Sequence, residues 1–186
     1  MHIEDNLRWV ESGGGPLILI DSDLALEWGG LSGNSGSPES LSDYERACSI
    51  DDYLGLLGVQ KGVALVLGDE PMRTSVKRLE QDDVMIVRWV WSPNETQIIE
   101  SLPLALESAD WLETALTIKH SSETFVIFDS AEQFSEVSNL LEFPFSPGLS
   151  RISTLEFKPN DSIFLVLHRI KGIASVEHSG PLSDQR

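Results

Sequence analysis

The chain carries a single cysteine, Cys48, in 186 residues. One thiol closes no intramolecular bridge, which argues against a disulfide-built secreted scaffold and favours a reducing compartment. Long apolar runs are absent. The longest, residues 63–67 and 163–167, fall far short of the roughly 20 residues that a membrane-crossing helix needs. The opening MHIEDNLRWV has acids where a signal peptide has bases, and no apolar stretch follows. These absences predict a cytoplasmic protein. Histidine is scarce and scattered: His2, His120, His168 and His178 lie far from one another and from Cys48. A zinc site needs three or four converging ligands, so no metal or other cofactor is predicted. Cations are few as well, 13 Lys and Arg against 30 Asp and Glu, for a formal charge of −17. Nucleic acids and anionic membranes repel such a chain, whereas a basic protein partner is attracted to it. Residues 1–70 are the more acidic part, with 13 acids and 3 bases.

What is present suits a packed core. Apolar residues make up 41% of the chain and five are tryptophan. A chain of this length buries roughly 70% of its unfolded surface and folds without staples. The expectation is one α+β domain over residues 1–186, dominated by mostly antiparallel strands, with two to four short helices.

In order, residues 7–11 form a first strand, and Gly13-Gly14-Gly15-Pro16 breaks the backbone. No Lys-Ser/Thr follows those glycines, so they are not a phosphate loop. Residues 17–20 (LILI) are apolar on both faces and form a buried strand. Asp21 or Ser22 caps a helix over residues 23–28, and residues 29–42 are a flexible Gly/Ser loop. Ser42 or Asp43 caps the next helix, on which Tyr44 and Cys48 share a face and Cys48 is a small core residue. Residues 53–58 and 62–68 are strands around a Gln60-Lys61 turn, the second ending in Gly68-Asp69-Glu70-Pro71. Residues 84–91 are another strand, with Trp89 and Trp91 on one face and read as core. Residues 97–111 favour helix, restarted at Leu104 by Pro103. Residues 112–119 and 125–128 pair as a hairpin. A helix over residues 130–141 turns Ala131, Phe134, Val137 and Leu141 inward. A second hairpin joins residues 152–158 to 163–170 through Pro159-Asn160-Asp161. The tail, residues 177–186, is frayed.

No catalytic constellation emerges. Cys48 sits at the wrong end of its helix for a reactive thiolate. The pairs Asp51-Asp52, Asp69-Glu70 and Asp82-Asp83 read as a solvated rim, or as a surface that competes for the basic residues of a partner.

Several segments carry a family likeness. They are Trp9-Val10-x-Ser12-Gly13-Gly14 with Pro16-Leu17-Ile18, then Trp28-Gly29, then Asp43-Tyr44-x-x-Ala47-Cys48. Ala64-Leu65-Val66-Leu67-Gly68-Asp69-Glu70-Pro71 and Val87-Arg88-Trp89 complete the set. In these the chain resembles the immunity protein 21 family, found beside toxin genes in bacterial polymorphic toxin systems. The likeness is dense over residues 9–91 and thin afterwards. It implies a non-catalytic cytoplasmic antidote that blocks a cognate toxin domain. It does not imply which toxin, and a basic nuclease is one that fits. The motif residues Trp9, Trp28, Gly29, Tyr44, Cys48, Gly68, Pro71 and Trp89 read as structural. Asp43, Glu45, Asp51, Asp52, Asp69 and Glu70 are the candidate partner-binding acids. Two alternatives stand beside this one: a small enzyme using Asp69 or Glu70 after a buried strand, and a scaffolding subunit dimerised through Trp89 and Trp91. The oligomeric state stays open.

Overall fold

Sheet-forming residues dominate the chain, and they assemble into two five-stranded antiparallel sheets. The structure is a computed structural model that describes residues 7–36, 41–68 and 72–173. One sheet has the order β2-β3-β1-β7-β8, from Leu54–Val59, Gly62–Leu67, Leu17–Asp21, Thr124–Asp129 and Leu141–Pro144. The other has the order β4-β5-β10-β9-β6, from Arg73–Glu80, Asp83–Trp91, Ile163–Gly172, Gly148–Asn160 and Leu112–His120. Three helices accompany them: α1 (Ser22–Ala25), α2 (Asp43–Cys48) and α3 (Glu95–Leu106). The architecture is the expected strand-dominated α+β fold. Among the described residues no helix is long and apolar enough to cross a membrane.

The alternation of side chains along a strand explains the layering. In β1, Leu17 and Leu19 face the other sheet and join Leu65, Ile86, Phe125, Ile127, Ile152 and Ile170 between the sheets. Ile18 and Ile20 point the other way, onto Trp28, Ala47, Val66 and Phe128 beneath α1 and α2. A strand buried on both faces must be apolar throughout, which is why LILI carries no alternation. The second sheet repeats the arrangement. Its outer face, with Met85, Val87, Leu165 and Leu167, receives Ile98, Leu102 and Ala105 of α3. Those three recur at the i, i+4, i+7 spacing of one helix face. Each fully buried aliphatic or aromatic side chain of these layers contributes about 1.5–3 kcal/mol.

Several expectations are corrected. Residues 7–11 make no strand; only Val10 bridges, antiparallel, to Thr74. Helix α3 runs through Pro103 without a restart. The proline lies on the exposed face, so the carbonyl that loses its N–H donor is on the wet side. The anticipated hairpin of residues 112–119 and 125–128 is a crossing between sheets: β6 pairs with β9, and β7 pairs with β1 and β8. Ile118 and Phe125 face each other across the inter-sheet core rather than side by side. Asp21 holds this arch, accepting the Ser121 and Ser122 N–H groups at 2.8 and 2.9 Å while also capping α1. In place of a helix over 130–141 there is one 3₁₀ turn, Phe134–Glu136, followed by β8. Phe134, Val137 and Leu140 are still half-buried under the first sheet. Strand β4 had no sequence expectation at all. The hairpin of β9 and β10 is present, with the turn at residues 161–162.

The outer strands are interrupted or covered. Beside β2 runs the loop 33–36, where Gln60 N–H donates to Ser35 O at 2.8 Å. Strand β4 is bridged by Val10 and carries Lys77, Arg78 and Glu80. Strand β6 shifts register between Glu113 and Thr117. Strand β8 is four residues long and ends in Pro144. These are the usual devices against edge-to-edge pairing.

Candidate functional site

One end of the sandwich collects segments that are far apart in sequence. There Leu17 of β1 lies between Leu67 of β3 and Asp129 of β7, and Leu54 of β2 lies on the far side of Leu67. The glycines before β1 form the rim. Ser12 Oγ accepts the N–H groups of Gly14 and Gly15 at 3.2 and 3.0 Å, and Gly13 N–H donates to the Asp129 carboxylate at 2.8 Å. Gly14 has φ +142°, which L side chains rarely adopt. Gly15 presses on the Tyr44 ring; a Cβ there would lie 2.5 Å from it. Tyr44 in turn hydrogen-bonds Cys48. That bond, with the thiol's charge, burial and Asp129, raises the phenol above its usual pKa. A cleft of about 330 Å³ opens between Gly14, Gly15, Cys48, Ile50, Asp51 and Gly68. Cys48 is exposed in it, not a core residue as its composition implied. Helix α2 buries Asp43, Arg46 and Ala47, and Cys48 lies a further 100° round the helix.

Beneath this end lies a buried cation. Arg88 projects from β5 into the space between the sheets with 1% of its surface exposed. Its guanidinium donates to Gly68 O at 2.8 Å, Leu67 O at 3.3 Å and Tyr53 O at 3.5 Å. It therefore fixes where β3 ends and β2 begins. Sequence reasoning noted Arg88 within a motif and gave it no role. The available signal was a lone charge inside the apolar strand VMIVRWVW.

His168 is fully buried nearby, sharing a hydrogen bond with Thr154 Oγ1 at 3.0 Å. Burial, with help from the charge of Arg88, holds its pKa well below 6.5. The folded protein keeps His168 neutral, while the unfolded chain takes up a proton below about 6.5. Stability is thus present above that value and is lost as pH falls beneath it, by up to about 1.4 kcal/mol per pH unit. Urea unfolding at pH 7.5 and 5.5 checks this: His168→Gln should lose less stability over that interval than the wild type. Equal losses would remove His168 from the account.

Behind the cleft a second cluster ties down the chain before α2. Asp43, with none of its surface exposed, accepts Gly29 N–H at 2.9 Å, Ser35 N–H at 2.9 Å and Arg46 Nη1 at 2.9 Å. Arg46 passes the connection on to Gly58 O. Gly29 and Gly33 cross so closely that a Cβ on Gly29 would meet Gly33 Cα at 2.4 Å. Trp28 is buried and donates to Ser130 O at 3.0 Å. Two expectations change here. Asp43 is not a partner contact, because a carboxylate without exposed surface reaches nothing outside the chain. Residues 29–36 are not a loose loop, because α2 and residues 131–134 bind them down; residues 37–40 lie outside the described residues.

The remaining acids divide. Glu45, Asp51 and Asp52 are exposed. Hydrogen bonds from the Ser42 N–H and hydroxyl keep Glu45 below its usual pKa. Asp82 and Asp83 are not a solvated pair: Asp83 is buried and bound by Arg169 at 2.8 and 2.5 Å. Asp69, Glu70 and Pro71 lie outside the described residues, as does the tail, residues 174–186.

Aromatic residues complete the same end. Trp9 and Trp89 meet edge to face at 5.4 Å, with Arg73 5.5 and 5.0 Å from their ring centres. Trp89 is half-buried on the α3 side of its sheet. Trp91 is 48% exposed, against the expectation of a core residue. Its register partner is Phe164, and the two rings lie 4.7 Å apart. Phe164 rests with Met72 and Val166 in a small cluster that Tyr53, next to Asp52, packs against. Among the described residues no group of three His, Cys, Asp or Glu side chains is arranged to hold a metal.

Against known proteins, the match is to one family. No curated protein and no solved structure matches the chain. The model for immunity protein 21 matches residues 8–162, which take in all three helices and every strand except β10. The chain belongs to the immunity protein 21 family.

Proposed function

We propose that this immunity protein neutralises a cognate bacterial polymorphic toxin domain by binding and occluding it, without catalysis of its own, in the cytoplasm. An antitoxin-type role follows from family membership. The finer reading is supported by one observation above all: exposed Asp51 and Asp52 stand at the end of the sandwich where Gly13–Pro16, Tyr44, Cys48, Gly68 and Arg88 converge. A chain with net charge −17 attracts a basic substrate-binding surface, such as that of a nuclease, and repels the nucleic acid that surface would otherwise hold. Exposed Glu45 on α2 extends the acidic rim. We include Asp69 and Glu70, which follow Gly68 in sequence, among the contacts.

The test is affinity capture from the native lysate with a salt gradient, then inhibition of the captured domain's activity. The expected result is one basic toxin domain, released by salt, whose activity is abolished by stoichiometric addition of this protein. Exposed acids act chiefly on association rate and salt dependence. The double variant Asp51→Asn/Asp52→Asn should therefore associate about tenfold more slowly at low salt, and the gap should narrow at high salt. An affinity that is flat with ionic strength would remove the charge-steered mechanism.

A further inference from the structure

Resting on that reading, we propose that Trp91 is the anchor of the toxin interface, and that it receives a lysine or arginine side chain of the toxin on its indole face. Three observations converge on this. Trp91 is the one aromatic among the described residues that is both large and exposed. It is held in place: Phe164 abuts it at 4.7 Å, and Phe164 is seated on the buried Met72 and Val166. A preset indole loses little conformational freedom on binding, which is why tryptophan is over-represented among interface anchors.

The third observation concerns cations. The aromatic rings nearest to it in the sheet, those of Trp89 with its neighbour Trp9 and of buried Phe164, already carry one of this chain's own. Arg73 lies over Trp9 and Trp89, and Lys158 Nζ is 3.8 Å from the centre of the Phe164 ring. Trp91 carries none among the described residues. An indole is the strongest of the aromatic faces for a cation. The chain's own cations here are already matched by acids, Arg73 by Glu11 at 2.6 Å and Lys158 by Glu156 at 3.9 Å, whereas exposed Asp51 and Asp52 lead into Tyr53, which packs on the Phe164 cluster. Charge therefore selects the occupant. A basic side chain gains from the ring and the carboxylates together, whereas an acidic or purely apolar partner gains from the ring alone.

The experiment uses full-length protein and the toxin domain captured with the wild type, rendered inactive at its own catalytic residue. Trp91→Ala should weaken binding by about 30-fold or more, mostly through faster dissociation. Trp91→Phe should restore most of the affinity, since a smaller aromatic face remains. Leu104→Ala, an exposed apolar site on α3, should change binding by less than twofold. Trp91→Phe and Leu104→Ala should melt with the wild type, and Trp91→Ala, which gives up the Phe164 contact, within about 5 °C of it, so that it is fully folded in the binding assay. Binding by Trp91→Ala within twofold of wild type would overturn the anchor while leaving the immunity reading intact. Failure of the wild type to capture any toxin would instead strike the immunity reading itself. A concentration-dependent dimer that Trp91→Ala abolishes would assign this face to a second copy and overturn the proposal.

Discussion

Replacing Arg88 with methionine is expected to cost about 3–5 kcal/mol of folding stability, since each buried carbonyl left without its donor costs about 1–3 kcal/mol. For a chain of this size that lowers the melting temperature by roughly 10 °C. The methionine fills much of the space of the arginine stem but brings no donors. The carbonyls of Gly68, Leu67 and Tyr53 would lose theirs between two sheets, where water does not readily replace them. Arg88→Lys keeps the charge and should fall between the two, since an ammonium lacks the guanidinium's fork of donors. Chemical denaturation gives the stability, and histidine resonances give a second readout. Because the Arg88 charge helps keep His168 neutral, Arg88→Met should move the His168 pKa upward. A loss under 1 kcal/mol with an unmoved histidine would mean that neither the carbonyls nor His168 depends on this side chain.

Asp43→Ala is the second large effect, again about 3–5 kcal/mol. It strands the Arg46 guanidinium and leaves the N–H groups of Gly29 and Ser35 without acceptors. Hydrogen exchange at those two amides should accelerate along with the loss of global stability. The double variant Asp43→Ala/Arg46→Met should be less unstable than Asp43→Ala alone, because it removes the uncompensated charge as well as its partner. If the double variant were the worse of the two, the ion pair would not be what Asp43 contributes. Asp43 belongs to the family likeness, and its place in the fold accounts for it through this cluster rather than through contact with a partner.

The sequence was most legible where one rule acted alone. Residues 63–67 (VALVL) have no polar alternation and lie in a strand buried on both faces, next to β1. The hairpin of β9 and β10 followed from two apolar runs around a short polar turn. It was least legible where local pattern and long-range pairing disagree. Strand β4, RTSVKRLE, is an outer strand with charged residues, so it lacks the apolar content by which strands are read. Ala131, Phe134 and Val137 recur at helical spacing, yet that segment is pinned by Trp28 O and by the Asp129 carboxylate into a turn. The three residues between β6 and β7 suit a hairpin and an arch equally. Only the pairing of β6 with β9, some 30 residues on, decides between them. At the candidate site, the exposure of Asp51 and Asp52 matched a polar local context. The burial of Asp43 depends on a loop fourteen residues earlier, and the exposure of Cys48 on which face of α2 that loop covers.

The guarded outer strands set the terms on which recognition can evolve. With β2 covered, β6 out of register, β4 bridged and charged, and β8 ending in proline, no long stretch of free backbone among the described residues waits to be extended by another chain. On the proposed reading, a toxin is then recognised by side chains and loops rather than by addition of a strand. Side chains on a fixed sandwich can be exchanged one at a time at little risk to the fold. A lineage facing a changed toxin can thus change its specificity by surface substitution, keeping the two sheets and the Arg88 and Asp43 clusters that hold them.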